Sequence, residues 1–315
     1  MQIVLPGALP DPGEARELAA HLPKAAPTLA RWLGQGQARV FPADPARACC
    51  TPYEQWRLRA RGFVPREGQP SSAGLGPLLA GNPDAAGDEP VWLAELVHIA
   101  PSRDGAALLP ARDLAIEPDQ SVALFDAAQT LLPGSGFAMH RAGVDHWRVI
   151  PDDAATLPPS VSPTLVGLTS VNDWWPQDTA TRPWRRLANE LQMLWFDHPV
   201  NQERTRLGLP DVNSLWVFGG ASAKQFPRGM STPDPQTCPE LLDPHARHDW
   251  GRWLATLGEL EARVFAPMAR HGTTPDLVLT GRERYVELRQ GALGRLRHWL
   301  PGGANTWRNW WSPRH

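Results

Sequence analysis

Apolar positions along this chain recur in changing rhythms, and each change marks an element. Gln2 to Leu5 is a short apolar run, followed by the loop "PGALPDPG" and a helical pattern near Glu14 to Ala20, which together predict strand, loop and helix. In "TPYEQWRLRARGF", Thr51 is placed to cap, Pro52 to open and Glu54 to close a capping box, with Trp56 and Ala60 on one helical face. Residues 64 to 90 are rich in Pro, Gly and Ala without periodicity and read as a loop and a first boundary. "VWLAELVHIAP" and "DLAIEP" read as strands, "QSVALFDAAQTLL" has Val122, Phe125, Ala127 and Leu131 near helical spacing, and "HWRVIPDD" is a further strand. These form a β-β-α-β subdomain over residues 91 to 153, closed by "DDAATLPPSVSP".

The clearest helix has Thr181 as cap, Pro183 at its start and Trp184, Leu187, Ala188, Leu191, Leu194 and Trp195 in one stripe. Pro199 ends it, because it disfavours helix at His198 and has no N–H of its own. Asn201 is then the expected cap of a short turn, Gln202 to Leu207, with Gly208 as its left-handed stop. "VNSLWVF" is continuously apolar from Leu215 to Phe218, the pattern of a strand covered on both faces as in parallel sheets. Burial of each such side chain contributes ~1.5 to 3 kcal/mol.

Beyond Gly220 a long polar, Pro-rich connection leads to the helix "WGRWLATLGELEARVFAPMARHG". A hairpin, "DLVLTGRERYVELR", follows with Gly281 near its turn; "LGRLRHWL" reads as a last helix, and the tail from Pro301 as loosely docked. The chain contains no internal repeat. The fold class expected is α/β: a core from residues 1–90 and 154–225, an inserted α+β subdomain over 91–153, and a helix and hairpin extension over 226–315.

Composition narrows the classes of function. With 315 residues and 42% apolar content the chain can bury a sizeable core, and 31 Lys+Arg against 33 Asp+Glu leave no overall attraction to nucleic acid or to an anionic membrane. Lys24 and Lys224 are the only lysines, so the positive charge is nearly all arginine. That suits planar contacts with carboxylate or phosphate, and high-GC coding explains it equally. Fifteen tryptophans against two tyrosines predict packing by indoles, with a stacking platform as the alternative. Cys49, Cys50 and Cys238 are odd in number and make no CxxC, which argues against a disulfide framework or zinc ribbon and for a reducing cytoplasm. The first twenty residues lack a signal-peptide pattern and no 18-residue apolar run occurs, so neither export nor membrane anchoring is expected.

Candidate chemistry gathers around the apolar strand. Gly219-Gly220 stand at its carboxyl end, where α/β sheets commonly hold ligands, and His198, Asn201, Arg204 and Asn213 precede it. An imidazole, an amide and a guanidinium would suit a phosphorylated hydroxy acid. The same spacing also fits plain architecture, with Asn201 capping, Asn213 in a turn and His198 bonded to backbone, and spacing alone favours that reading. His245 and His248 with Asp249, and His140 with His146 across a turn, are weak metal candidates. GxSxG, P-loop and GxGxxG motifs do not occur, nor does a helix-turn-helix with a basic recognition helix.

"HPVNQERTRLGLPDVNSLWVFGG" resembles a segment of archaeal-type cofactor-independent phosphoglycerate mutases, which has His-Pro-Val-Asn, an Arg-containing turn, and Asn before a Trp-containing strand that ends in Gly. With "LANELQML" before it, the segment is more similar still to a mutase-related proteobacterial family labelled "regulatory protein, RpfE type". Weaker similarity runs back through "SPTLVG", "FAMHRAGVDHWRVI", "VWLAELVHI" and "CCTPYEQWRLRARGF", covering roughly residues 49 to 220. The resemblance implies an alkaline-phosphatase-like core, a partial one here, and a ligand-binding turn of His198, Asn201, Arg204, Asn213, Trp216, Gly219 and Gly220.

It also implies two metal ions, a nucleophilic Ser or Thr, and carboxylate and histidine ligands, and these do not carry over. Leu5-Pro6-Gly7 stand where the family has Asp-Gly, Thr51-Pro52 where it has Ser-Asp, and "SPTLVG" lacks its His and Asp; the late Asp and His cluster has no counterpart. Two-metal phosphoryl transfer needs those groups. The expectation is therefore a mutase-like pseudoenzyme, regulatory or ligand-sensing, with no catalytic residue, metal or cofactor. Its expected partner is a phosphorylated small molecule or another protein, not nucleic acid or membrane. The alternatives are an active phosphoglycerate mutase or phosphatase, and a protein-interaction module using the Trp-rich C-terminal region.

Overall fold

The computed structural model describes residues 1–80, 88–103, 105–227, 235–291 and 307–311. Its strands are β1 Gln2–Leu5, β2 Gln37–Pro42, β3 Val91–Ser102, β4 Gly105–Leu109, β5 Phe137–Arg141, β6 His146–Pro151, β7 Ser214–Ala221, β8 Gln236–Thr237, β9 Asp276–Thr280 and β10 Arg284–Arg289. Its helices begin with α1 Pro12–Ala25, α2 Pro27–Gln35, α3 Pro45–Ala48, α4 Pro52–Ala60, α5 Leu75–Leu79, α6 Pro118–Ala128 and α7 Pro163–Leu168. There follow α8 Val171–Trp174, α9 Arg182–Phe196, α10 Pro199–Arg206, α11 Leu242–Ala246, α12 Trp250–Leu260, α13 Ala266–Arg270 and α14 Arg308–Trp311. The class is α/β. The chain divides into two compact units, Met1–Pro45 with Thr232–His315, and Ala46–Ser231.

The first unit is built on a sheet of order β2-β10-β9-β1-β8. β1 is too apolar to stand at an edge, and it runs parallel between β8 and β9, with Leu5 opposite Leu279. The predicted hairpin forms as β9 and β10, and β10 also pairs antiparallel with β2. Ile3, Leu5, Leu277, Leu279, Val286 and Leu288 join a core with side chains of α1, α2 and α12, including Leu22, Trp32, Trp253 and Leu257. Prolines open α1 and α2 at positions where an N–H would lack a partner. The second of these helix starts is answered by the buried Glu261, whose carboxylate accepts from Thr28 N at 3.2 Å and Leu29 N at 3.4 Å.

In the second unit the sheet is antiparallel throughout. β3 pairs with β7 along Val91 to Val97, with β6 over Trp92 to Glu95 and with β4 over His98 to Ser102, and β5 pairs with β6. α9 lays Trp184, Leu187, Leu191 and Trp195 against Ala94, Trp147, Leu215 and Val217. Alternate residues point the other way: Leu93 and Phe218 pack with Leu58, Phe63 and Leu75, and Trp216 with Leu165 and Val166. β7 is therefore buried on both faces, as its sequence predicts, but the parallel sheet expected for it is replaced by one antiparallel neighbour. Helical segments cover both faces, which produces the same unbroken apolar run.

Other expectations change with the tertiary partners. "DLAIEP" is not a strand: Ala111–Asp113 is a 3-10 turn, Ala115 has φ +48°, and β4 is the strand at that place. Within residues 64 to 90, Ser71–Gly74 and α5 are helical, and Gly76 is needed there because a Cβ would stand 2.0 Å from the Val91 carbonyl oxygen. The polar connection after Gly220 contains β8 and α11. The last helix expected over residues 293 to 300 lies outside the described residues. The tail is docked at its described part, where Arg284 donates to Trp310 O at 3.1 Å and Trp311 O at 2.8 Å.

The unit boundaries also differ from those drawn on sequence. Residues 91–153 share their sheet with β7, and the hairpin of the expected C-terminal extension completes the sheet around β1. Every described tryptophan is buried or half-buried, so most serve as packing indoles, and Trp92 is among the half-buried ones. Among the described residues no helix is long and apolar enough to cross a membrane.

Candidate functional site

The turn before β7 is held by side chains that the sequence nominates for a ligand. α10 begins with Pro199 at its first position, which moves the cap back to His198 and places Asn201 inside the helix. His198 Nδ1 accepts from Val200 N at 3.2 Å, and burial lowers its pKa, which keeps the neutral form that this bond requires. Asn201, 3% exposed, donates from Nδ2 to Trp195 O and Val212 O, both at 2.8 Å, and accepts from Val212 N at 2.9 Å. It is a clamp between the end of α9 and the start of β7.

Arg204 is 0% exposed and uses its whole fork. Nε donates to Pro210 O at 2.8 Å, Nη1 to Gln120 Oε1 at 2.7 Å and Nη2 to Leu114 O at 2.5 Å. Asn213 imitates one more strand residue, accepting from Ile99 N at 2.8 Å and donating to Ile99 O at 2.9 Å. Trp216 Nε1 donates to Val161 O at 2.9 Å. Five of the seven nominated residues thus have polar side-chain groups bonded within the protein. Gly208, with φ +71°, is the left-handed stop.

Gly219 and Gly220 are at the far end of β7. At ~3.3 Å per residue the six steps from Asn213 to Gly219 span about 20 Å, so the structure does not bring the two groups together. Trp92 faces Gly219 and Val91 faces Ala221, which leaves Gly220 as the extra residue of a β-bulge. The two glycines have φ of +105° and +101°. A Cβ would come within 2.4 Å of Val91 O at Gly219, and within 2.4 Å of the Trp92 ring at Gly220, so both positions need glycine. Gly219 N donates to Ser160 Oγ at 2.9 Å, and Gln69 Nε2 donates to Gly220 O at 3.3 Å. Beside the bulge opens a cleft of about 490 Å³, lined by these residues, Trp92, Asp178, Thr181 and four prolines.

The positions that the mutase resemblance assigns to catalysis are engaged otherwise. Leu5, Pro6 and Gly7 are buried; Gly7 O accepts from Trp253 Nε1 at 2.8 Å, and Gly7 N donates to Thr280 Oγ1 at 3.4 Å. Thr51 forms the capping box read from the sequence: its Oγ1 accepts from Glu54 N at 3.2 Å and donates to Glu54 Oε2 at 2.8 Å. Ser162, the cap of α7, donates to Glu54 Oε1 at 2.6 Å. Glu54 therefore ties Thr51 to the "SPTLVG" segment in a buried network. Burial, with Glu54 nearby, also pushes the Cys50 thiol well above its usual pKa.

A further cluster stands outside the carboxyl ends of β1 and β9. Asp11 Oδ2 is 3.0 Å from Arg282 Nε and 3.8 Å from His248 Nδ1, and Asp11 Oδ1 is 4.0 Å from His245 Nε2. Arg282 Nη2 lies 2.7 Å from His248 Nε2, and His245 Nε2 is bonded to Leu9 O at 2.9 Å. His245 and His248 share one locality as a pair, but Asp249 turns away to cap α12. Asp11 and Arg282 carried no sequence signal, since they are far apart along the chain and belong to no motif. His146 bonds Glu95 Oε2 at 3.1 Å while His140 is exposed. Among the described residues no group of three or more His, Cys, Asp or Glu is placed to hold a metal ion.

No protein-family model matches the chain, and no curated protein matches it. Among solved structures it is similar to the PH0037 protein from Pyrococcus horikoshii, at 13% identity over 92% of this chain and 87% of that one, with a TM-score of 0.43. It is also similar to the cofactor-independent phosphoglycerate mutase from Thermoplasma acidophilum DSM 1728, at 16% identity over 92% and 89%, with a TM-score of 0.33. Likeness of this degree transfers no residue role and no reaction.

Proposed function

We propose that the protein is a mutase-like, ligand-sensing protein that binds a small molecule without two-metal phosphoryl transfer. The observation that carries this reading is Thr51. Its hydroxyl stands where the resemblance expects the nucleophile, yet it is buried and closed into the network with Glu54 and Ser162. A nucleophile must be free to meet its substrate beside an activating base or metal, whereas this hydroxyl is committed to a helix cap. The phosphorylated hydroxy acid suggested by the resemblance would have been held by His198, Asn201 and Arg204. Those groups are bonded inside the protein, so binding in this reading rests on the cleft beside Gly219 and Gly220.

Purified protein assayed with 3-phosphoglycerate and manganese is expected to give no turnover above the buffer rate. Turnover that EDTA abolishes would overturn the reading and favour an active mutase. A ligand of the cleft at 100 times its dissociation constant adds ~2.7 kcal/mol of stability, which a thermal-shift measurement detects.

A further inference from the structure

We propose that the cleft at the β7 bulge selects small molecules with a flat, uncharged or cationic body and rejects phosphate esters. The proposal deepens the ligand-sensing reading and rests on it for the existence of a ligand. Size supports it first: about 490 Å³ lies in the ~300–1,000 Å³ range of small-molecule sites.

The walls set the shape. The Trp92 ring is held over Gly220, where any side chain would displace it, so the indole is a fixed plate rather than a mobile lid. Pro70, Pro158, Pro159 and Pro176 add stiff apolar rims with no N–H to offer an anion. A flat body stacks on an indole, and a cation gains further from its ring face.

Charge decides the rest. Asp178 is the single charged side chain among the lining residues; lysine, arginine and histidine are absent from them. Arg185 donates to the Asp178 carbonyl oxygen at 3.1 Å but does not line the cleft. The Gly219 N–H, a backbone donor that could have met a phosphate, is already given to Ser160 Oγ. Ser160, 4% exposed, accepts that bond and keeps its own proton to donate to a ligand acceptor. A dianion placed here would meet a carboxylate and no neutralising cation, whereas an ammonium or a neutral ring would meet a favourable or indifferent field.

The test uses the full chain and three matched probes, benzylamine, benzyl alcohol and phenyl phosphate, followed by saturation-transfer NMR and thermal shift. Benzylamine is expected to bind at least tenfold more tightly than phenyl phosphate. Asp178→Asn, which can still cap Ala180 N through its side-chain oxygen, is expected to remove the advantage of benzylamine over benzyl alcohol. Gln177→Arg, an exposed lining position, is expected to raise phenyl phosphate affinity. Equal or tighter binding of phenyl phosphate by the wild type, insensitivity of the ranking to both substitutions, or binding of none of the probes would overturn the proposal. EDTA-sensitive turnover of phosphoglycerate would remove the broader reading and leave the probe ranking standing, so the two failures are distinguishable.

Discussion

Asn201 spends every polar atom of its carboxamide on backbone, two carbonyls and one N–H, where sequence reasoning expects a helix cap or a ligand contact. Asn201→Ala leaves the N–H and the carbonyl of Val212 unanswered, while Trp195 O keeps the bond from His198 N, and each such loss costs ~1 to 3 kcal/mol. A destabilisation of about 2 kcal/mol or more is expected in urea unfolding, and Asn201→Asp, which lacks the donors, is expected to do no better. A cost under about 0.5 kcal/mol would show that the clamp is dispensable. Thr51 was legible in the sequence because a capping box is local, closed over three residues. Arg204 was not: its partners Gln120 and Leu114 are 84 and 90 residues away, and nothing in "QERTRLG" announces them. The glycines of the bulge were legible as a special place, but their function as a seat for Trp92 was not, because Trp92 comes from β3.

At the scale of elements, α11 is moored by His245, 3% exposed, to the loop that follows β1. Burial lowers the His245 pKa, and the nearby Asp11 carboxylate opposes the shift. The folded pKa therefore lies below the unfolded value of ~6.5, and the unfolded chain takes up the proton first as pH falls. The contribution is complete above about pH 6.5 and drains away as pH falls toward the folded pKa. Urea unfolding followed from about pH 7.5 to about pH 5 should show this loss, and His245→Gln should flatten that part of the curve. An unchanged slope in the variant would assign the pH dependence to other groups. Periodicity found α9, α12 and the hairpin because their apolar patterns are complete in themselves. It missed α5, whose Gly and Leu residues make sense only against the β3 and β7 backbones.

Considered whole, the molecule has one unit continuous in sequence and one assembled from both ends of the chain. The continuous unit contains its own antiparallel sheet and three clusters of buried side chains. Residues 46–231 alone are therefore expected to give a cooperative thermal transition and native-like circular dichroism. Residues 1–45 alone are expected to remain unfolded, since the neighbours of β1 are β8 and β9; a non-cooperative 46–231 fragment would contradict this division. The division was illegible in the sequence because strand pairing across such a separation has no local signature, so residues after 226 read as an appendage. The pairing of Leu5 with Leu279 also fixes an order of events during synthesis. At ~5 to 20 residues per second, β1 leaves the ribosome roughly 15 to 55 s before its partner exists. Throughout that interval an apolar strand with two open edges must be kept from other chains, while the middle of the protein is already free to fold.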